Sequence, residues 1–236
     1  INNWDVSNVI NMEYMFQFAE FNQSINDWDF SNVESMRYMF SYSEAFNQDL
    51  GTWNTQNVID MSFMFYSSQF NGTVNQINVS SVKNMRRMFS NSPFNQPVDN
   101  WDVSNVESMS DMFSDSEFNQ PLQTWDMKNV KNIGGMFGNN PHFNQPIGDW
   151  DLSSLELANY TFYKAIVFDQ DIGNWNLSSA TNLYGMFRGA TNFNQNISTW
   201  CVLKINEEPQ FFSENSNLQE NNKPIWGTCP SAPSKI

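Results

Sequence analysis

Basic residues are scarce in this chain of 236 residues. Eleven Lys and Arg stand against 25 Asp and Glu, and the formal net charge is -14. A nucleic-acid-binding surface needs clustered Lys and Arg to neutralise phosphates, and the sequence contains no such cluster. No apolar run approaches the roughly 18 residues of a membrane span, and an acidic surface repels anionic bilayers. The sequence therefore predicts neither a nucleic-acid partner nor membrane insertion.

Residues that carry catalysis or bind metals are also few. His142 is the only histidine and follows a short Asn-Asn-Pro segment, where a surface loop is expected. No Cys–His or Ser–His–Asp set can be assembled around it, so we predict that the protein is not an enzyme. No cofactor is expected either. Calcium stays open because Asp and Asn are frequent, although no Asp-x-Asp-x-Asp-Gly loop occurs.

Aromatic residues and methionine, by contrast, are abundant and periodic. The chain has 21 Phe, 13 Met and 9 Trp. One tryptophan recurs every 24 or 25 residues, with Ile77 filling one gap, and a phenylalanine follows each of these positions after 12 residues. A second phenylalanine begins the phrase Phe-Asn-Gln and precedes the next tryptophan by seven residues. The spacing between the two phenylalanines is five or six, which places a surface loop there. The sequence is thus an array of about nine repeats.

Each repeat divides into two predicted elements. The segment Ile-x-x-Trp-x-Val alternates apolar and polar residues as a strand does. The segment Ser-Asn-Val-x-x-Met-x-x-Met-Phe places its apolar residues, such as Val106, Met109 and Phe113, on one face of a short helix. Stacked strand–turn–helix units bury these faces against one another. The sequence therefore predicts an α/β repeat solenoid, right-handed and leucine-rich-repeat-like, with a parallel sheet and 24–25-residue units over residues 1–200.

The repeat phrase resembles a known family. The segment from Phe94 to Phe113, which reads FNQPVDNWDVSNVESMSDMF, is similar to the repeats of BspA-like leucine-rich-repeat surface proteins, which include mycoplasma-type lipoprotein repeats of unknown function. The resemblance implies a leucine-rich-repeat-like solenoid on a secreted or surface protein, and some family members are associated with adhesion. Val33 and Val106 stand where the leucine-rich-repeat consensus has an inward-facing asparagine.

A column of Asp and Asn residues follows the tryptophans. If each tryptophan points inward, the next residue points outward, so the repeats would stack these side chains on one polar face. Two interpretations stay open: a face that binds a protein, glycan or cation, and a solvated face whose side chains bond to the adjacent turn. The candidate interaction face consists of Asp5, Asp29, Asn54, Asn78, Asp102, Asp126, Asp151 and Asn176.

The C-terminal residues depart from the repeat. We predict a degenerate final repeat and cap over 201–229 and a tail over 230–236. Cys201 and Cys229 are the only cysteines, and a disulfide between them would pin the cap. Such a bond implies an oxidising, extracytoplasmic compartment, extracellular or at the cell surface. At the other end the sequence opens on a predicted strand, which leaves a possible packing partner at an uncapped N-terminal end.

Two functional hypotheses follow. The first is a surface-exposed or secreted binding or adhesion module that uses the polar face to engage a protein or glycan. The second is a structural subunit or spacer of an extracellular or virion assembly.

Overall fold

Stacked coils of 24 or 25 residues build the fold, seen in a computed structural model that describes residues 1, 4–51 and 53–230. Neighbouring coils meet at single parallel backbone bridges. Because each bridge joins residues 24 or 25 positions apart, the bridges follow the sequence repeat. Seven of them form one line through Asn11, Ser35, Asp60, Asn84, Ser108, Asn132, Leu157 and Asn182, and an eighth joins Asn176 to Cys201. Residues 231–236 of the predicted tail lie outside the described part of the chain.

The predicted α/β, leucine-rich-repeat-like class is wrong. Within the described residues the one helix is a short 3-10 turn, Glu220–Asn222, and the bridges do not extend into strands or a sheet. Seven of the eight bridges also lie where helix was expected, directly before the Met-x-x-Met-Phe segment. Only Asn176↔Cys201 falls in a predicted strand.

Left-handed backbone conformations explain why no helix forms. Two positions in every coil have positive φ, two residues before and two residues after the first phenylalanine of the regular coils. A helix cannot continue through such residues. The first turn column contains Tyr14, Tyr38, Phe63, Arg87, Asp111, Gly135, Tyr160, Gly185 and Phe211. The second turn column contains Phe18, Tyr42, Ser67, Asn91, Asp115, Asn139, Lys164, Gly189 and Asn215.

Hydrogen bonds between coils replace those of a helix. In the first coil the N–H groups of Met12 and Phe16 donate to the carbonyls of Ser35 and Met39 in the next coil, at 2.9 and 2.8 Å. Between them, the Tyr14 N–H also donates to the next coil, at the Arg37 carbonyl, whereas the Met15 N–H closes a turn within the coil onto Met12 at 3.3 Å. Alternate N–H groups thus donate to the next coil or close turns within their own coil, so the backbone is hydrogen-bonded without a helix or a sheet.

The predicted aromatic core is present. The first phenylalanines of successive coils stack with ring centroids between 5.2 and 6.0 Å apart, as from Phe16 to Phe40 and from Phe89 to Phe113. The phenylalanines of Phe-Asn-Gln form a parallel stack, and Phe89 and Phe94 approach to 3.7 Å. From the second coil onward the repeat tryptophans are buried. Aromatic stacking along the axis is therefore the main apolar contact between repeats.

From Trp53 onward the buried tryptophans also bond to the preceding coil. The indole Nε1 of Trp101 donates to the carbonyl of Val74 at 3.1 Å, and Trp125 donates to Val98 at 2.9 Å. The same bond recurs at Trp150, Trp175 and Trp200. Trp4 lies in the first coil and is 54% exposed. The preceding coil buries each later indole ring and pairs its N–H from Trp53 onward, whereas the buried Nε1 of Trp28 has no hydrogen-bond partner.

The C-terminal cap ends the aromatic stack. Cys201 and Cys229 form the predicted disulfide, with their Cα atoms 4.0 Å apart. Phe212 continues the sequence period, but its ring meets Phe187 edge-on at 89° and packs edge-on against Trp226. Its coil is offset by one residue, because the Phe187 N–H donates to the carbonyl of Phe212, whereas in earlier coils the acceptor is the residue before the phenylalanine. Because the Phe212 ring is rotated in this way, it covers the end of the phenylalanine stack.

Candidate functional site

The predicted Asp and Asn face is exposed as expected. All eight side chains of the candidate interaction face lie at the surface. Each also accepts a hydrogen bond through Oδ1 from the backbone N–H two residues later, at 2.9 to 3.4 Å. These contacts are Asx turns, which Asp and Asn form more readily than other residues. The turn alone therefore explains why this column is Asp or Asn.

Hydrogen bonding shifts the titration of several of these carboxylates. The hydroxyl of Ser104 donates to Asp102 Oδ1 at 2.6 Å, and the Ser104 N–H donates at 3.1 Å. These two bonds lower the pKa of Asp102 below its usual 3.8, and equivalent bonds from Ser7 lower the pKa of Asp5. The carboxylates are thus stabilised by their own turns. Recognition of a ligand by this face stays a prediction.

A groove lies on a separate surface, between the two turn columns of the central coils. It has a volume of about 570 Å³, a size typical of small-ligand sites. We call it the central groove. It shares no residue with the candidate interaction face. Its lining comes from six coils and consists of Tyr66, Arg87, Ser90, Asn91, Asp111, Ser114, Asp115, Gly135, Gly138, Asn139, Tyr160, Tyr163 and Arg188.

The N-terminal wall of the groove is a tyrosine covered by an arginine. Tyr66 meets Phe63 edge-on, with ring centroids 5.6 Å apart. The guanidinium of Arg87 lies over both rings at 5.8 and 5.9 Å. Its Nε contacts the Oδ2 of Asp111 at 3.2 Å. The cation–π contacts and this ion pair hold Arg87 at the groove edge.

The C-terminal wall is a pair of tyrosines. Tyr160 and Tyr163 meet edge-on at 5.5 Å, and Tyr160 also packs edge-on against Tyr184 at 5.1 Å. The Tyr160 ring lies over Gly185, where a Cβ would stand 2.7 Å from the ring. Interaction with the Tyr184 hydroxyl, followed by partial burial, raises the pKa of Tyr160. Tyr160 is therefore fixed from two sides and remains half-buried.

Small residues form the floor. Between Tyr66 and Tyr163, the equivalent positions of the three intervening coils are Ser90, Ser114 and Gly138. The two serine hydroxyls bond to each other at 2.8 Å and are buried. Gly135 has φ of +68°, and the carboxylate of Asp111 lies where its Cβ would be. The groove exists because bulky side chains are missing from three consecutive coils.

The repeat pattern of the sequence does not predict this groove. Its residues occupy positions that the repeat pattern leaves variable and that the predicted helix would have placed on a solvated surface. One signal was present: aligned by repeat, Tyr66 and Tyr163 are the two aromatic residues in a column that is otherwise polar or Gly. That column, however, points into a common groove only because coils replace the helices.

Two observations concern the metal site and the membrane span that the sequence did not predict. Among the described residues, no group of three or more His, Cys, Asp or Glu side chains is placed to hold a metal ion. No helix in the same part of the chain is long and apolar enough to cross a bilayer.

Comparison with known proteins gives a family match. The model of the family described as "Mycoplasma protein of unknown function, DUF285" matches residues 1–92, 67–168 and 116–226. The three overlapping matches span most of the chain and follow its repeated organisation. No curated protein and no solved structure matches.

Proposed function

The chain belongs to the DUF285 family, whose description assigns no function, and we propose that it is a surface-exposed or secreted, non-enzymatic binding module that takes its ligand in the central groove. The groove is the one place discussed above where aromatic, charged and amide side chains converge on a concave surface. Such convergence is typical of ligand sites.

The observation that carries the proposal is the interrupted aromatic surface. Three coils with Ser90, Ser114 and Gly138 separate Tyr66 from Tyr163, and the gap is open to solvent. Rings that are half-buried against their own coil present amphipathic edges to a ligand at little cost in side-chain entropy. A rigid stack keeps the two walls of the groove at a fixed separation, which favours ligands whose shape matches the space between them.

The disulfide and the family resemblance support the proposed location. Disulfides persist in oxidising compartments and are rare in reducing ones. BspA-like proteins, whose repeat phrase this chain resembles, are surface proteins. The net charge of -14 fits a chain that avoids anionic membranes and nucleic acids.

The binding hypothesis is tested by capture on variants of the full chain. Parent protein is immobilised and exposed to extracellular and cell-surface material, and retained proteins and glycans are identified by mass spectrometry. The groove variant is Tyr163→Ser/Asn139→Gly, in which Ser is the residue at the equivalent positions 90 and 114 and Gly suits the positive φ of position 139. Asn215→Gly, in the same turn column but outside the groove, is the control.

We expect the capture to identify a ligand that binds to the parent and to Asn215→Gly but does not bind to the groove variant. A second comparison uses Asp102→Lys/Asp126→Lys. If the ligand survives the groove variant and is lost only with the two lysines, the predicted Asp and Asn face binds it and the groove proposal is wrong. Equal melting temperatures establish that each variant folds.

A second candidate, the structural subunit, is favoured by the first coil. Trp4, Ile10 and Phe18 are 54%, 56% and 67% exposed, an unusual amount of large apolar surface for one coil. Another coil would cover it, either from a preceding repeat or from a second copy of the chain packed end to end. Sedimentation of the parent against Trp4→Ser/Phe18→Gly tests this candidate. Concentration-dependent association that the variant abolishes supports it, and a monomeric parent at all concentrations contradicts it.

A further inference from the structure

We propose that the central groove binds a neutral oligosaccharide whose chain lies along the stack of coils, an inference that rests on the proposed function. The ligand class follows from what lines the groove, from its charge balance and from its length.

The lining lacks aliphatic anchors. None of the described residues that line the groove is Leu, Ile, Val or Met. Peptide and protein ligands are usually anchored by apolar side chains in well-packed apolar pockets. This groove instead offers the amphipathic rings of Tyr66, Tyr160 and Tyr163. A sugar ring has an apolar face of C–H groups that packs on such rings and a rim of hydroxyls that needs polar partners.

The polar groups suit hydroxyls. Asn91, Asp115 and Asn139 follow one another in the second turn column and are exposed. An amide both donates and accepts, and a carboxylate accepts through two oxygens, so both can pair with adjacent hydroxyls of one sugar. Their spacing of one coil places successive polar groups about 4.8 Å apart. A ligand of repeating units matches this regular array.

The charge balance favours a neutral ligand. Two arginines and two aspartates line the groove, and each arginine already has an acidic partner: Arg87 Nε lies 3.2 Å from Asp111, and Arg188 Nε lies 2.6 Å from Glu214. The groove therefore presents neither free cations for sulfate, phosphate or carboxylate groups nor an uncompensated acidic cluster for a polycation.

The length of the groove favours an oligosaccharide over a monosaccharide. Tyr66 and Tyr163 are four coils apart, which corresponds to about 19 Å at the usual spacing of parallel bridges. A single sugar reaches one wall. A chain that spans both walls gains contacts at each, so affinity should rise with chain length and then level off.

The test is titration calorimetry of the full chain with soluble neutral gluco-, manno- and N-acetylglucosamine oligosaccharides of increasing length. We expect at least one series to bind with affinity that grows with length, and Tyr163→Ser to weaken it about tenfold, as loss of an aromatic contact and its buried area implies. Asn215→Gly should bind as the parent does. Raising the salt concentration should leave the affinity unchanged, because the ligand has no charge.

The outcomes separate the two proposals. If the capture experiment yields a protein that depends on the groove and no oligosaccharide series binds, the binding function stands and the carbohydrate inference is wrong. Binding confined to sulfated or sialylated chains, with affinity that falls steeply with salt, would overturn the neutral assignment. If neither experiment finds a groove-dependent ligand, both proposals fail. Equal binding by the parent and by Tyr163→Ser would place the oligosaccharide elsewhere.

Discussion

At the residue scale, the most unusual feature is the number of side-chain-bearing residues with positive φ. Tyr14 and Phe18 have φ of +61° and +57°, and equivalent values recur throughout the two turn columns. Each such residue costs roughly 1–2 kcal/mol relative to ordinary backbone. The cost is sustained because the adjacent coil holds the turn by a hydrogen bond, as the Arg37 carbonyl does for the Tyr14 N–H at 3.1 Å. Stacking thus imposes a conformation that the residue type does not favour.

The Asp residues of the Asx turns should make the stability depend on acid pH. The pKa of Asp5 and Asp102 is lowered below 3.8, chiefly by the Ser7 and Ser104 hydroxyls. A lowered pKa in the folded state contributes stability above the unfolded value of 3.8, and the contribution is lost as pH falls through the lowered value. We expect the free energy of unfolding to decrease below about pH 4. Urea unfolding across this range measures it.

Asp5→Asn/Asp102→Asn provides the matched comparison for this acid dependence. Asn78 makes the same turn and accepts the Ser80 hydroxyl at 2.7 Å, so the substitution keeps the hydrogen bond and removes the charge. The variant should be slightly less stable than the parent at neutral pH and equally stable at pH values well below 3.8. An unchanged difference across the whole range would show that these turns do not couple stability to protonation.

At the element scale, the sequence pattern predicted which residues are buried but not the local structure that buries them. The repeat spacing of Phe89, Phe94 and Trp101 was sufficient to place them in a shared core, because like residues must stack when repeats stack. The spacing of Met109, Met112 and Phe113 suits a helix face and also a series of turns that returns to the core every third or fourth residue. Periodicity alone does not distinguish the two.

The sequence did not distinguish a helix from turns, because the backbone conformation of this segment depends on hydrogen bonds to the neighbouring coils. Tyr38, Phe63 and Arg87 are not residues that favour positive φ, so the first turn column carries no glycine signature over most of its length. In the first turn column Gly135 and Gly185 are the two glycines, and Gly189 is the one glycine of the second turn column. A short isolated helix is also marginal in water, so hydrogen bonds to adjacent coils can replace it.

Trp101→Ala tests the inward tryptophan column. The ring is buried, and its loss leaves a cavity and removes the indole hydrogen bond to the Val74 carbonyl. We expect the free energy of unfolding to fall by about 3–5 kcal/mol, measured by urea denaturation. Trp4→Ala is the control, because its ring is 54% exposed, and it should cost less than about 1 kcal/mol. Equal losses from the two substitutions would contradict the proposed burial of the column.

At the scale of the whole molecule, surfaces depend on the register between coils more than on any local motif. The candidate interaction face could be predicted because its residues adjoin the recurring tryptophan position. The central groove could not be predicted, because it forms only when three intermediate coils, one of which contains Gly138, bring Tyr66 and Tyr163 into line. A column of variable residues becomes a site only once the stacking register is known.

The disulfide tests how far stability extends along the stack. Because each coil contacts only its neighbours, a disturbance at one end should weaken the nearest coils first. The Cys201–Cys229 bond closes a loop of 28 residues, and its removal should cost about 3–4 kcal/mol on the chain-entropy estimate. In Cys201→Ser/Cys229→Ser, hydrogen exchange should accelerate at Val202 and Gly227, whose N–H groups bond within the cap, while Phe89 and Phe113 keep their protection.

Trp226→Ala, which loses the contact with Phe212 and keeps the disulfide, should accelerate the same amides less. Uniform acceleration from Phe89 to Gly227 would instead show that the coils unfold as one unit, and unchanged exchange at the cap would mean that its packing alone holds it.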